Sequence, residues 1–329
     1  MLARKLKLTL NGLEVGSTPM LVPSVSSRVN LPMKMGKFLQ IISEVIDGPL
    51  LISAYDYHYL KNPKISFPDL IFLDSGGYEC SKDHSISEIG LYKPDPHDWD
   101  EELYAQVINE WSIKIPTVLI SYDHPSKSES IQIQIERAND LFQEKDEFLK
   151  EILIKPETER SKRINIEGVI DNIESLNSFD ILGFTEKELG NSVLDKMTNI
   201  AKIRNAMDDQ EMKTPIHIFG SLDTITTPLY YLSGADIFDG LSWLRFVFND
   251  GNTLYIDSFG PKLYSAGENV EKIWIQSLYK NKRYLMELTM NLRKFQSKGG
   301  VDKKSFDIFP YNAEFFKKTY DDLLEKIRE

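Results

Sequence analysis

The stretch LIFLDSGGYE, residues 70–79, contains the pattern that decides the fold. Apolar residues fill Leu70–Leu73, and a short apolar run bounded by turn residues indicates a buried strand. Directly after it come a carboxylate, Asp74, and a serine with two glycines, which let the backbone turn sharply and approach another group closely. We therefore predict a buried strand with a carboxylate at its carboxyl end.

Comparable runs recur about eight times as far as Phe238, and a polar or amphipathic stretch with helical spacing separates several of them. The predicted helices are Ser130–Leu149, Leu189–Met207 and Asp223–Leu232. Strands that alternate with helices predict an α/β protein with a parallel sheet, and about eight such units favour a closed (β/α)₈ TIM barrel. The predicted strands are Met20–Val25, Leu50–Ala54, Leu70–Leu73, Thr117–Ser121, Ile164–Val169, Ile181–Phe184, Ile216–Phe219 and Asp236–Phe238.

The last part of the chain has a different pattern. Residues Phe246–Phe259 resemble a hairpin, because Asn249–Asn252 reads Asn-Asp-Gly-Asn, a strong turn signal. Apolar residues at helical spacing follow in Glu268–Phe295 and Asn312–Glu329, separated by Ser297–Gly300. We predict a catalytic barrel domain over residues 1–261 and a helical extension over residues 262–329 that packs on it.

Composition restricts the kind of protein. The chain has 329 residues, 41% hydrophobic and 27% charged, which is typical of a globular protein. A single cysteine, Cys80, excludes an intrachain disulfide framework and a cysteine-rich zinc site, and it fits a reducing cytosol. No apolar run approaches the roughly 18 residues that a membrane span needs, and the N-terminus lacks the features of a signal peptide. We therefore expect a cytoplasmic protein without membrane contact.

The net charge of −11 argues against a partner covered in phosphates, since nucleic-acid-binding proteins usually present basic surfaces. Basic clusters nevertheless occur at Lys162/Arg163, at Lys280, Lys282 and Arg283, and at Lys294–Lys304. Such clusters either steer a polyanion locally or are solvated helix faces. Both interpretations remain open from the sequence.

Three aspartates, Asp74, Asp123 and Asp239, each follow a predicted strand. The loops at the carboxyl ends of barrel strands converge on one cavity, so we expect these carboxylates to lie together. Crowded like charges raise at least one pKa, which suits one carboxylate as nucleophile and another as proton donor or acceptor. Glycosidic-bond chemistry needs that combination, although a divalent metal site is also compatible with it.

Two motifs carry a resemblance to a known family. Asp74–Tyr78 resembles the DSGG(F/Y)Q motif of tRNA-guanine transglycosylases, and Asp236–Asp239 with Arg245 resembles their D-x-F-D…R motif at the family's spacing. Weaker similarity extends over most of the chain. The resemblance implies a base-exchange glycosyltransferase, a pentosyltransferase of the queuosine type, that replaces guanine in a nucleic acid with a 7-deazaguanine such as preQ0 or preQ1. No cofactor is implied.

The resemblance also implies roles for single residues. Asp239 would attack the sugar C1′ and form a covalent glycosyl-enzyme, and Asp74 would act as general acid and base. Asp123 would bind N1 and the exocyclic amine of the base, while Arg245 would hold a backbone phosphate. The remaining residues implied in binding the base are Tyr78 and Phe219, which would stack on it, with Ser75, Glu167 and Gly168.

The sequence also departs from the family. Its Cys and His zinc ligands are missing, and Met290 stands where a histidine would fall, so we expect no structural zinc and no metal. Glu167 replaces a glutamine that donates to O6 of guanine, and an ionised carboxylate cannot donate. Either Glu167 is protonated, or the contact differs, or the alignment is shifted there. Glu79 likewise replaces a glutamine.

The segment Ile181–Gly190 replaces a glycine-rich loop of the tRNA enzymes. Thr185 and Glu188 could form an ordinary capping box at a helix start. The segment also resembles a loop in the branch of the family that inserts 7-deazaguanines into DNA. Together with the missing zinc ligands and the shorter C-terminal region, this resemblance favours DNA over tRNA as the substrate. A homodimer and a helper protein that opens the duplex are compatible with this interpretation.

Two other kinds of protein compete with this interpretation. A non-catalytic nucleic-acid-binding subunit would lack the nucleophile, and the presence of Asp74 and Asp239 speaks against it. An unrelated barrel hydrolase would hold a metal with carboxylates, and His124 and His217 are the histidines near predicted strand ends. Isolated histidines are more often structural residues than ligands.

Overall fold

In a computed structural model, eight parallel strands close into a barrel. The structure describes residues 2–29, 31–61, 63–80, 97–123, 128–158, 160–299 and 303–328. The last barrel strand pairs with the first, Asp239 lying opposite Val22, and this pairing confirms the predicted (β/α)₈ TIM barrel. The strands up to the end of the barrel are β1 Lys7–Leu10, β2 Leu13–Ser17, β3 Met20–Val25, β4 Leu50–Ser53, β5 Ile71–Asp74, β6 Thr117–Ile120, β7 Leu149–Ile154, β8 Ile181–Thr185, β9 Ile216–Phe219 and β10 Ile237–Gly240. The barrel itself consists of β3–β10.

Helices follow the barrel strands and cover the outside of the barrel. Helix α8 is an example: Ser192 caps its start by accepting from the Asp195 backbone N–H at 3.1 Å, and its buried residues recur at helical spacing. The helices up to the end of the barrel are α1 Met35–Val45, α2 Ala54–Tyr59, α3 Gly77–Cys80, α4 Glu101–Glu110, α5 Ile131–Leu141, α6 Ile166–Asp171, α7 Ile173–Leu176, α8 Val193–Asp209, α9 Thr226–Leu232 and α10 Ser242–Arg245.

The fifth barrel strand corrects the sequence prediction. We predicted it as Ile164–Val169, but that segment contains the start of α6. The fifth barrel strand is Leu149–Ile154, which begins at the last residue of the predicted helix Ser130–Leu149. Lys150 and Glu151 interrupt the apolar run of this strand, so the sequence of its first residues resembles the end of a helix. In the fold, Glu151 is fully buried because a histidine inside the barrel pairs with it.

Apolar side chains fill most of the inside of the barrel, and the N-terminal hairpin closes one end of it. Val22, Phe72 and Ile120 belong to this inner core. Leu8 of β1 is buried in the same cluster, and Leu10 and Val15 pack against it. Full burial of each such side chain contributes about 1.5–3 kcal/mol, so the hairpin adds to the stability of the barrel as well as covering its floor.

The C-terminal region begins with the predicted hairpin, formed by β11 Phe246–Asn249 and β12 Asn252–Tyr255. Asp250 and Gly251 both have positive φ, as its tight turn requires. Three helices follow: α11 Ile256–Leu263, α12 Val270–Ser297 and α13 Ala313–Lys326. The expected domain boundary between residues 261 and 262 falls inside α11, which packs against both the hairpin and α12.

One buried side chain of α12 fixes the segment after the last barrel strand. The Asn281 side chain accepts from the Phe248 backbone N–H at 2.7 Å and donates to the carbonyl oxygens of Trp243 at 2.8 Å and Phe246 at 2.6 Å. An asparagine buried with these three bonds is satisfied, and its loss would leave backbone groups unpaired. The helical extension thereby holds α10, and with it Arg245, against the barrel.

No helix in the described parts of the chain has both the length and the apolar character that crossing a membrane requires.

Candidate active site

Asp239 lies in the last barrel strand with both carboxylate oxygens held. Oδ2 accepts from the Ser24 hydroxyl of β3 at 2.6 Å, and Oδ1 accepts from the Gly220 backbone N–H at 3.0 Å. The residue is 6% exposed. Neighbouring elements on both sides therefore fix the orientation of a carboxylate that retains a small exposed surface.

Asp74 ends β5 and is partly exposed. Its Oδ2 accepts from the Gly76 backbone N–H at 3.2 Å, and Gly76 has a φ of +91°, which favours glycine. Burial, followed by the charges of Asp123 and Asp239, raises the pKa of Asp74 to about 7. A carboxyl with that pKa is protonated about half the time at neutral pH, which suits a general acid and base.

Asp123 follows β6 and is linked to the turn after β5. Its Oδ1 accepts from the Ser75 hydroxyl at 2.7 Å. A Cβ at Gly77 would lie 2.0 Å from the same oxygen, so only glycine allows this approach. Burial raises the pKa of Asp123, and the neighbouring Lys155 opposes that rise. The three aspartates thus lie at one end of the barrel, where the charges of Asp123 and Asp239 act on Asp74.

Lys155 is a site residue that the sequence prediction missed. It directly follows β7, and its Nζ lies 2.9 Å from Glu188 Oε1, 3.2 Å from Thr185 Oγ1 and 3.8 Å from Asp123 Oδ2. Burial disfavours its charge, but Glu188 and Asp123 outweigh that effect and raise its pKa. The misplaced fifth strand concealed it, although a lysine between an apolar run and Pro156 is a signal of a strand end.

The segment after β8 does not form the capping box that its sequence allows. Residues Glu186–Glu188 form a 3₁₀ turn, and Thr185 makes no side-chain capping bond. Thr185 and Glu188 instead accept hydrogen bonds from Lys155. Glu186 accepts from Lys196 and from the Tyr230 hydroxyl, both at 2.7 Å, which secures the turn against α8 and α9.

Glu167 and Gly168 lie elsewhere than the sequence predicted. Both are in the first turn of α6, where the Gly168 backbone N–H donates to Asn165. The Glu167 side chain is 72% exposed, and its carboxylate lies 3.5 Å from Lys202 of α8. The expected contact with the base depended on the misplaced fifth strand, and the residue at the true strand end is Lys155.

The two predicted stacking residues each already contact another side chain. The Arg28 guanidinium lies 4.6 Å from the centre of the Tyr78 ring, so a base could stack only on the opposite face. Phe219 is partly buried and stacks on His217, with ring centres 4.0 Å apart and planes inclined by 28°. Both aromatic residues are next to a glycine that contacts an aspartate: Tyr78 follows Gly77, which approaches Asp123, and Phe219 precedes Gly220, which donates to Asp239.

Arg245 ends α10, directly before the C-terminal hairpin. It is partly exposed, and its guanidinium lies 5.4 Å from the ring centre of Phe246. Since α10 follows the carboxyl end of β10, Arg245 belongs to the same end of the barrel as Asp239. Its position fits the rim of a site.

Two further carboxylates, Glu79 and Asp56, are buried near the site, and Glu79 lies close enough to Asp74 to be influenced by its charge. Glu79 is buried and accepts from the Ser26 hydroxyl at 2.5 Å, and Asp56 accepts from the Ser27 backbone N–H at 2.7 Å. Burial, with Asp56 and Asp74 nearby, raises the pKa of Glu79 well above its ordinary value, and burial raises that of Asp56 to about 6. A protonated Glu79 can both donate and accept a hydrogen bond. The glutamine that it replaces in the DSGG(F/Y)Q motif can do the same.

The described residues include no group of three or more His, Cys, Asp or Glu side chains placed to hold a metal ion. His217 is buried inside the barrel, and His124, the other histidine near a predicted strand end, lies outside the described residues. Lys155 and Ser75, rather than further carboxylates, provide the polar contacts of Asp123.

The resemblance to tRNA-guanine transglycosylases rests on short motifs, of which Asp74–Tyr78 and Asp239 lie at one end of the barrel. No family model matches the chain, and no curated protein matches it significantly. The chemistry of these side chains is therefore the basis for assigning a function.

Proposed function

We propose that this protein is a nucleic-acid guanine transglycosylase that exchanges guanine for a 7-deazaguanine through a covalent aspartyl-glycosyl intermediate. The observation that carries the proposal is the pairing of two carboxylates in different environments. Asp239 is held by the Ser24 hydroxyl and the Gly220 N–H, whereas Asp74 has a pKa of about 7. One carboxylate prepared to attack and another prepared to move a proton are what base exchange requires.

In the first half of the reaction, a carboxylate oxygen of Asp239 attacks C1′ of the nucleotide. The bond from C1′ to the base nitrogen breaks, and its electron pair goes to the departing guanine. Asp74 gives that base a proton, so guanine leaves as a neutral molecule. The products are a glycosyl ester on Asp239 and an ionised Asp74.

The second half reverses the roles. Ionised Asp74 takes the proton from the ring nitrogen of the incoming 7-deazaguanine, and that nitrogen attacks C1′. The ester bond breaks, its electron pair returns to the Asp239 carboxylate, and Ser24 and Gly220 receive it in its original orientation. Protons and charges balance over the cycle, so no cofactor is needed.

Asp123 and Lys155 together fit the edge of a guanine. The Asp123 carboxylate accepts from N1–H and the exocyclic amine, and the Lys155 ammonium, 3.8 Å away, donates to O6. A cytosine or adenine would place a donor where Lys155 also donates, which selects against both bases. Lys155 thus takes the donor role of the glutamine that Glu167 replaces in the resembling family.

DNA is the favoured polymer, with tRNA as the alternative. The segment that resembles the DNA-modifying branch contacts the site through Glu188 and Lys155, which supports a role for it beyond starting a helix. Arg163 donates to the Lys187 carbonyl oxygen at 2.6 Å, so the basic pair Lys162/Arg163 flanks this segment. Together with Arg245, this pair would hold backbone phosphates locally despite the net charge of −11.

The experiment that tests the function is incubation with radiolabelled guanine and, separately, tRNA, duplex DNA and single-stranded DNA. We expect label in DNA, with Asp239→Asn as the inactive control. Label only in tRNA would move the proposal to the tRNA enzyme, and no label in any polymer would contradict it. Loss of turnover with a chelator would instead favour a metal-dependent hydrolase.

A further inference from the structure

A line of three polar side chains crosses the interior of the barrel and ends at Asp239. His217 Nδ1 lies 2.8 Å from Glu151 Oε1, and His217 Nε2 lies 3.4 Å from Asp239 Oδ1. Glu151 and His217 are completely buried. The three residues come from β7, β9 and β10, so the barrel itself fixes their spacing.

Two aromatic side chains pack against the His217 ring. Phe219 stacks on the His217 ring, and Phe72 meets it edge-on with ring centres 5.5 Å apart. Gly183 of β8 provides the space, because a Cβ there would lie 2.7 Å from the Phe219 ring and 2.8 Å from Glu151 Oε1. Buried charged groups interact strongly with one another, because the effective dielectric constant around them is low.

The geometry restricts where the protons are. With Glu151 ionised, the close contact at 2.8 Å requires a proton on Nδ1 of His217. If Nε2 had no proton, its lone pair would face the Asp239 carboxylate, which is repulsive. A proton on both nitrogens makes both contacts favourable, and the group then consists of one imidazolium between two carboxylates. Burial opposes this charge, but Glu151 and Asp239 outweigh it and raise the pKa of His217 to about 9.

We propose that Glu151 and His217 are positioning residues that hold the Asp239 carboxylate in place at the mouth of the barrel. The proposal rests on the proposed role of Asp239 as the nucleophile. His217 Nε2 lies 3.4 Å from Asp239 Oδ1, and the Ser24 hydroxyl donates to Oδ2, so each carboxylate oxygen has its own polar neighbour. A carboxylate oriented in this way is prepared to attack C1′.

His217 transfers no proton in this scheme. When Asp239 becomes an ester, the imidazolium loses one of its two counter-charges and retains only Glu151. That loss favours the return of the carboxylate, and therefore the second half of the exchange. The buried pair thus limits the stability of the covalent intermediate as well as orienting the attack.

The direct test is ¹⁵N NMR of the full chain labelled at histidine, with the His217 signals assigned by their absence in His217→Gln. We expect both ring nitrogens of His217 to be protonated at about pH 7.5, with titration near pH 9. In Glu151→Gln, the titration should move down toward the ordinary histidine pKa of about 6.5. A neutral His217 ring in the unaltered protein at about pH 7.5 would overturn the proposal.

The second test measures the rate of covalent adduct formation against pH. In His217→Gln the rate should fall by about tenfold or more, because Asp239 loses its contact with a charged donor. In Glu151→Gln the fall of the rate above about pH 7 should become steeper, because His217 then loses its proton in the same range as Asp74. An unchanged rate in a His217→Gln protein whose circular dichroism is unchanged would refute the proposal. A lack of adduct in the unaltered protein would refute the proposed function, and the NMR result would still decide the state of His217.

Discussion

The carboxylate of Asp236 pairs with the guanidinium of Arg204, and both side chains are completely buried. Asp236 Oδ2 also accepts from the Ile216 backbone N–H at 2.9 Å, so the pair connects α8 with the starts of β9 and β10. Asp236 and Asp239 belong to one sequence motif and one strand region. Asp236 nevertheless stabilises the barrel wall, whereas Asp239 lies at the mouth.

Asp239→Asn should abolish base exchange while leaving the fold intact. The amide keeps the shape of the side chain but is not a nucleophile, so we expect turnover to fall by at least about 10³-fold. Denaturing gels should show no protein–nucleic acid adduct. An adduct that persists in this variant would remove Asp239 from the role of nucleophile.

The matched control is Asp236→Asn. It leaves the Arg204 guanidinium buried without its counter-charge, which should cost about 3–5 kcal/mol of unfolding free energy. The melting temperature should fall, in contrast to Asp239→Asn. At a temperature where the variant is still folded, adduct formation per folded molecule should be close to that of the unaltered protein.

The pH dependence of the two half-reactions should have opposite signs. Release of guanine needs the protonated form of Asp74, so its rate should fall as the pH rises through about 7. Attack by the incoming base needs the ionised form and should become faster over the same range. Single-turnover rates of adduct formation and of adduct resolution would measure the two steps. Asp74→Asn should remove both dependences and slow each step by about 10²–10⁴-fold.

The strand-end positions of Asp74, Asp123 and Asp239 could be predicted from the sequence, because each comes directly after a predicted strand or within two residues of its end. Lys155 could not, since Lys150 and Glu151 interrupt the run before it and hide the strand. The partner of Glu151 is His217, 66 positions later, and no local pattern connects two such residues. The pair forms only in the folded barrel, which places β7 and β9 on either side of β8.

Lys155→Met should weaken binding of the incoming base without preventing the chemistry. The lost hydrogen bond involves a charged donor, so the KM for the base should rise about 10- to 100-fold, equivalent to roughly 1.5–3 kcal/mol. Glu167→Gln is the control, because Glu167 is exposed on α6 and should leave KM unchanged. If Glu167→Gln changes KM and Lys155→Met does not, Glu167 rather than Lys155 contacts the base.

Glu79→Gln should stabilise the protein, increasingly so at higher pH. Burial raises the pKa of Glu79, so the folded chain keeps a proton that the unfolded chain loses above its ordinary pKa of about 4.3. The contribution of Glu79 to stability therefore falls as the pH rises beyond that value, and glutamine avoids this loss. Melting temperatures should agree near pH 4 and diverge toward pH 8, with the variant higher. Equal melting temperatures at both pH values would mean that Glu79 is ionised in the fold.

The rate of exchange should depend on whether the target guanine is paired. A base must leave its stack to enter the mouth of a barrel, which costs a few kcal/mol in a closed duplex and least when the base is unpaired. The net charge of −11 gives the protein little long-range attraction with which to distort DNA. Initial rates at fixed low salt should increase from paired to mispaired to single-stranded guanine. Equal rates without a helper protein would contradict this expectation.

The N-terminal hairpin has a consequence for the order of events. Leu8 is buried in the inner core at the floor of the barrel, opposite the mouth where Asp239 lies. Under the proposed function, the released guanine and its replacement would therefore both pass through that mouth. The pocket would then be empty between the departure of the first base and the arrival of the second, while the sugar remains covalently bound to Asp239. Steady-state kinetics should accordingly be of the ping-pong kind, and free guanine should compete with the incoming base.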